Sequence, residues 1–311
     1  MNRLLNDFLP DASAPADITA TPGTDIASAF MMVTAGDVSR LLRPRAEFSH
    51  KGDYGHLLIV AGAPQTMGAA LLTAMGSVYA GAGLTTVAIP EQGLNALNVT
   101  LPEAMYADRK DLVGPAALDT YSAIALGPGL QLTGKVSGTD LNLLERVMSQ
   151  QVPLVIDAEG LNYLSVSRPA LNELRVGTVL TPHVKEFDRL FGVHDNWWGR
   201  LQTAIKYAKK QKVVVVLKNR YTFIVEQSGQ VYINTSGGPA MSQGGMGDVL
   251  TGVIAALVAQ GYAPNEAAIT GCYLHGMAGG ELAEQHFNVT ASQVAAQLPK
   301  SRLRLQMLTS S

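Results

Sequence analysis

The feature that most limits the fold is a series of short apolar runs, most followed by a helical stretch. HLLIVAG, LTTVAIP, SAIALGPG, PLVIDAEG, TVLTPH and VVVVLK carry apolar side chains at successive positions. A strand apolar on both faces must be covered on both, and strands joined by helices run parallel. The expectation is one α/β domain of three layers, α/β/α, around a mainly parallel central sheet. TFIVEQ and QVYINT, separated by Ser228 and Gly229, break that rhythm and predict a small antiparallel hairpin. Thr34 is the expected N-cap of a short helix through Leu42, stopped by Pro44. GAALLTAMGSVYAGAG predicts an Ala-rich helix, and two helices, from about Asp248 and about Asn265, are expected to close the chain.

Composition narrows the function classes. Hydrophobic residues make up 47% and charged residues 15%, with a formal net charge of −2, which suits a deep-cored enzyme. The densest cationic cluster, Lys209, Lys210 and Lys212, reads as a solvated helix end, so nucleic acid is not an expected partner. Cys272 is the single cysteine; it reads as a buried thiol and excludes an intrachain disulfide. No apolar stretch reaches membrane-spanning length and no secretory pattern opens the chain, so a cytoplasmic location without a membrane partner is expected. Residues 1–33 are rich in Ala, Pro, Asp and Thr and read as a flexible or partner-binding arm; residues 34–311 read as the catalytic domain.

SQGGMGDVLTGVIAALVAQG, from Ser242 to Gly261, carries the strongest chemical signal. Gly244, Gly245, Met246 and Gly247 precede a long helix of small residues. Unpaired amides and the helix dipole at such a start form an anion hole for a transferring phosphoryl group. Asp248 stands where its carboxylate can accept a proton from an attacking hydroxyl. The positive potential there is expected to lower its pKa; the bland alternative is a carboxylate that only caps the helix. Two other glycine motifs are decoys. GLQLTGK, Gly129 to Lys135, is followed by Val136 where a P-loop needs Ser or Thr. GAGLTT, from Gly81, leaves a helix and enters a strand, the reverse of a dinucleotide turn, and reads as a helix stop.

These segments occur in a recognisable order. KGDYGHLLIVAGAPQTMGAALLTAMGSVYAGAGLTTVA, GPGL, PLVIDAEGLNYL, LTPHVKEFDRLFG, VVVLKNRYT, GGMGD and ITGCYLHGMAG together resemble the ADP- or ATP-dependent NAD(P)H-hydrate dehydratases of the ribokinase-like superfamily, from about Thr34 to about Leu298. The resemblance implies a ribokinase-like fold and a carbon–oxygen lyase that dehydrates hydrated NADH or NADPH (NAD(P)HX). ADP, in preference to ATP, is the implied phosphate donor, with Mg2+ bridging its phosphates. It implies that Ala70, Gly129 and Gln131 (in the loop Gly127 to Gln131), His183 and Asp248 meet the hydrated nicotinamide nucleotide. Lys218, Asn219, Arg220, Tyr221, Thr222 and Gly247 are the implied nucleotide contacts, Asp248 the catalytic residue, and a homo-oligomer, a tetramer, the implied assembly.

The residues themselves leave several roles open. His183 either contacts substrate or simply starts the helix that follows Pro182. Glu186 either holds that imidazole, caps the helix or organises a metal–water shell. Asp157 either binds nucleotide or a metal shell or only shapes a loop, and no metal ligand is assigned. His275, in an apolar helix, reads as a hydrogen-bonded core residue. The chain departs from the family pattern at Val184 and Lys185 (usually Pro-Gly), at Asn219 (usually Gly), at Gly238, Pro239 and Ala240 (usually Asn-Pro-Gly) and at Gln131. Two rival functions use the same residues: a small-molecule kinase of this fold, and a nucleotide sensor without catalysis.

Overall fold

The computed structural model describes residues 30–114, 116–132 and 138–308. Its strands are β1 Phe30–Met32, β2 His56–Val60, β3 Leu84–Ala88, β4 Met105–Ala107, β5 Ala123–Leu126, β6 Leu154–Ile156, β7 Val179–Leu180, β8 Val214–Leu217, β9 Thr222–Val225 and β10 Val231–Asn234. They form one sheet in the order β1-β10-β9-β8-β7-β6-β5-β2-β3-β4. Every pairing is parallel except β8 with β9 and β9 with β10, so the expected hairpin is present. The helices are α1 Ala35–Leu41, α2 Met67–Ala80, α3 Leu94–Thr100, α4 Gly138–Met148, α5 Ala158–Val166, α6 Arg168–Asn172, α7 Val184–Phe191, α8 Trp197–Gln211, α9 Met246–Ala259, α10 Pro264–Ala283 and α11 Ala291–Met307.

The apolar runs become strands because both sheet faces are covered. In β2, Leu57 and Ile59 enter one core while Leu58 and Val60 enter the other. In β8, Val214 and Val216 alternate in the same way with Val215 and Leu217. Helices α1, α2, α9, α10 and α11 close the first core, and α4 to α8 the second. Each such aliphatic side chain contributes about 1.5–3 kcal/mol relative to exposure, which is why the two-faced pattern is so legible.

Two glycines set the tightest helix contact. A Cβ at Gly76 of α2 would run into the Val249 carbonyl, and one at Gly252 of α9 into the Thr73 carbonyl. The two helices therefore touch backbone to backbone, as only glycine permits.

Several local expectations hold. Thr34 caps α1 reciprocally with Asp37, and Gly81 ends α2 in the left-handed conformation before β3. Lys209 and Lys210 lie in the last turn of α8, and Cys272 is buried. Others are corrected. Phe30–Met32, read as the end of the arm, are β1, pairing in parallel with β10; Phe30 is buried there. The chain closes with three helices, not two. Pro299 inside α11 disguises it, while Thr290 and Gln293 form the capping box that marks its start. Residues 1–29 and residues 133–137 of the P-loop decoy lie outside the described residues. Among the described residues, no helix is long and apolar enough to cross a membrane.

Candidate active site

The C-terminal ends of the parallel strands, where open α/β sheets place ligands, meet the start of α9. Asp157 follows β6, His183 follows β7 and Lys218 follows β8. The backbones of His183 and Lys218 bridge in parallel, with the Lys218 N–H donating to the Pro182 carbonyl at 2.9 Å. Lys218 Nζ donates to Asp157 Oδ1 at 2.8 Å, and the Thr251 hydroxyl of α9 donates to Asp157 Oδ2 at 2.7 Å. Asp157 is thus the buried post that ties β8 to α9, a role that spacing along the chain does not reveal because its partners lie 61 and 94 residues away.

At the start of α9, Gly245 takes φ +88°, and a Cβ there would strike the Leu72 side chain. No side chain caps the helix, leaving its first amides to a ligand. A Cβ built on Gly247 would lie 3.3 Å from Lys218 Nζ, so the ammonium sits directly beside that first turn. Gly244 meets no such constraint: a Cβ there has nothing within 4 Å.

Four ionisable groups share this corner. Burial, then the charge of Asp157, pushes the Asp248 carboxyl up to about 7, against the pull of Lys218. The expected lowering at the helix start is not what this corner gives: burial and the charge of Asp157 set the carboxyl above its ordinary range. Burial and Asp157 likewise push Glu186 up to about 7. For Lys218, burial acts to neutralise it, but Asp157, Glu186 and Asp248 outweigh that and hold it charged above its ordinary range.

His183 combines both of its candidate roles structurally. Its Nδ1 accepts from the amides of Lys185 at 3.1 Å and Glu186 at 3.3 Å, while Glu186 Oε2 accepts from the His183 N–H at 2.8 Å. It is the N-cap of α7, and Glu186 closes the capping box. Burial and Lys218 lower its pKa. With Nδ1 accepting, the neutral ring carries its proton on Nε2. That side chain is 51% exposed, so the Nε2–H is available to a ligand.

The other side of the site is built from loops after β2 and β5. The Gly62 N–H donates to the Pro128 carbonyl at 2.8 Å, and the Thr66 hydroxyl to the Gly129 carbonyl at 2.6 Å. Gln131 is exposed with φ +48°. Ala70 is fully buried, its methyl 2.9 Å from where a Cβ on Gly62 would stand. It supports the loop from below and presents no surface to a ligand.

Beyond Lys218 opens a cavity of about 440 Å3, lined in part by Lys218, Asn219, Arg220, Thr222, Met246 and Gly247. Tyr221, just before β9, packs partly buried against the second core. Sequence reasoning missed Asn234, Ser236 and Gly276, which also line it. The SGGP turn after β10 was the available signal. His275 lines it too; the ring has a backbone hydrogen bond with Met246, but its buried Nε2 has no partner, so the core residue expected is only half satisfied. Burial lowers its pKa to about 4, leaving the ring neutral.

Among the described residues, no cluster of three or more His, Cys, Asp or Glu side chains is arranged to hold a metal alone. The carboxylates nonetheless suit Mg2+ brought in with phosphates. Both oxygens of Asp157 are engaged, whereas Glu186 keeps Oε1 3.5 Å from His183 Nε2, in a setting that disfavours an uncompensated anion. Mg2+ is commonly held by one or two carboxylates together with substrate phosphates.

Comparison with known proteins identifies the family of the chain. Residues 57–300 match the family model described as NAD(P)H-hydrate dehydratase. A bifunctional NAD(P)H-hydrate repair enzyme of Moorella thermoacetica is 42% identical over 259 residues, covering 78% of this chain and 48% of that protein. The chain thus spans about half the length of the curated relatives it first matches, 48% and 52%. An ADP-dependent (S)-NAD(P)H-hydrate dehydratase of Staphylococcus aureus is 33% identical over 84% of this chain and 94% of its own length. The ADP/ATP-dependent NAD(P)H-hydrate dehydratase of Bacillus subtilis, co-crystallised with ATP and Mg2+, superposes with a TM-score of 0.77 at 30% identity, covering 88% of this chain and 98% of that one. The chain belongs to the NAD(P)H-hydrate dehydratase family.

Proposed function

We propose that the protein dehydrates hydrated NADH or NADPH to the dihydronicotinamide form, with ADP in preference to ATP as phosphate donor. The observation that carries this reading is Asp248: a carboxyl raised to about 7 in the first turn of an uncapped helix, in the same corner as Lys218 and a nucleotide-sized cavity. A carboxylate with a pKa near the working pH is suited to accept a proton and later release it.

The donor lies in the cavity beyond Lys218, its terminal phosphate against the amides of Gly245, Met246 and Gly247. The hydrated nicotinamide lies between the Gly62–Thr66 and Gly127–Gln131 loops, with His183 donating to it through Nε2–H. Asp248 takes the proton of the ring hydroxyl as its oxygen attacks the terminal phosphorus and the bond to the bridging oxygen breaks. AMP leaves when the donor is ADP. Phosphate then departs from the new ester with the electron pair of the ring carbon–oxygen bond, and a proton leaves the adjacent ring carbon to form the double bond. Helix α9 and Lys218 stabilise charge on the phosphoryl group, the dominant contribution in such transfers. Glu186 would hold Mg2+ together with the phosphates, where the ion would supply further charge neutralisation.

In this reading the enzyme works in the cytoplasm as a homo-oligomer, a tetramer by resemblance, without nucleic-acid or membrane partners. The test is recovery of dihydronicotinamide absorbance from purified hydrated NADH with Mg2+ and either ADP or ATP. Recovery that needs nucleotide and vanishes in Asp248→Ala supports the reading and identifies the donor. An accumulating phosphorylated substrate makes the protein a kinase, and nucleotide binding without turnover makes it a sensor.

A further inference from the structure

The substrate-side loops are held by a residue that no motif points to. Arg109 follows β4 in a short 3-10 turn and is only 7% exposed. Its Nε donates to the Ala88 carbonyl at 3.1 Å, and its Nη2 to the Ala61 carbonyl at 2.7 Å and to the Gly62 carbonyl. Its Nη1 donates to Asp140 Oδ1 at 2.9 Å. One planar guanidinium thus gathers the ends of β2 and β3 and the first turn of α4. Burial disfavours its charge and holds its pKa below the ordinary value, and Asp140 offsets part of that.

The Ala61–Gly62 peptide is the pivot. Its carbonyl is fixed by Arg109 and its N–H by Pro128, so the loop after β2 and the loop after β5 are positioned through one plane. Thr66 adds the second tie, to Gly129. None of these contacts reaches Lys218, Gly247 or the wall of the nucleotide cavity.

We infer that Arg109 is a positioning residue for the hydrated-nicotinamide subsite, setting the spacing of the Gly62 and Gly127–Gln131 loops without touching substrate. The inference rests on the proposed assignment of those loops to the substrate. Lysine keeps the charge but presents no rigid fork that reaches three carbonyls and a carboxylate together.

The test compares wild type, Arg109→Lys and Asp140→Asn, measuring kcat and KM for hydrated NADPH and for the phosphate donor, with thermal melting alongside. Displacing a reactive group by about 1 Å costs on the order of 100-fold. Arg109→Lys is therefore expected to lose ~10- to 100-fold in kcat/KM for the hydrated nucleotide, with donor KM within ~2-fold of wild type. Asp140→Asn, which leaves all three carbonyl contacts, is expected to lose less. Wild-type kinetics in Arg109→Lys, or an equal loss towards both substrates together with a lowered melting temperature, overturns the inference. If wild type does not dehydrate the substrate, the functional reading fails on its own. The Arg109 assignment is then read from NADPH affinity by fluorescence, where an unchanged Kd in Arg109→Lys overturns it.

Discussion

Replacing Asp248 with Asn should make the unliganded protein more stable while abolishing turnover. Burial and the neighbouring Asp157 raise the carboxyl from 3.8 to about 7. The folded state therefore holds this proton more tightly than the unfolded chain does, the reverse of an ordinary ion-paired aspartate. The stability it contributes is complete below the unfolded pKa and is lost as pH rises from about 4 to about 7. At about 1.4 kcal/mol per pKa unit, ionised Asp248 destabilises the fold by about 4 kcal/mol at pH 8, and by less than about 1 kcal/mol at pH 4. Asparagine keeps the shape and removes the charge. Urea unfolding without nucleotide should show Asp248→Asn more stable by up to about 4 kcal/mol at pH 8, with the gain shrinking steadily towards pH 4. A variant no more stable than wild type at pH 8, or one whose gain is the same at both pH values, refutes the argument that this carboxylate is held charged against its surroundings.

Further outcomes follow from the same corner. The kcat of the dehydration should fall below about pH 7 as Asp248 and Glu186 take up protons; a flat profile from pH 5 to 9 contradicts it. Lys218→Met leaves Asp157 buried with only the Thr251 hydroxyl, at a cost of about 3–5 kcal/mol. Lys218→Met with Asp157→Asn should recover much of the stability but not the nucleotide affinity, which denaturation and calorimetric titration separate. Gly245→Ala should cost at least about 1–3 kcal/mol from its positive φ, and more from the Leu72 contact. Gly244→Ala, with open space around it, should be within about 0.5 kcal/mol of wild type.

What the sequence makes legible follows the physics of each element. Strands β2 and β5 to β8 are apolar on both faces, and no other common element explains such runs. The hairpin β9–β10 is marked by Ser228-Gly229. Strand β1 is only three residues long, and its partner β10 lies some two hundred positions on, so no local pattern announces it. Helix α11 hides behind Pro299. In the site, Asp248 and the glycines before it are one contiguous motif and could be read. The bond from Lys218 to Asp157 joins two strands, and its geometry exists only after folding. The same is true of Arg109, whose environment is made of three carbonyls from two segments and a carboxylate from a third. Ala70 and Tyr221 show the complementary case: a motif locates the backbone, but the burial of the Ala70 methyl and the packing of Tyr221 on the second core are decided by the fold.

The backbone contact of α2 with α9 at Gly76 and Gly252 has a consequence for how the reaction is aligned. Helix α2 begins just after Thr66, at the loop assigned to the nicotinamide, and α9 begins at the glycines assigned to the phosphate. With no side chains between them at these two positions, the two helices act as a single strut. The gap between attacking hydroxyl and transferred phosphorus is then a dimension of the scaffold, independent of whether any rim segment closes over it. Engineering a broader substrate range would therefore start at the loops, since a single methyl at either glycine moves one end of the reaction relative to the other.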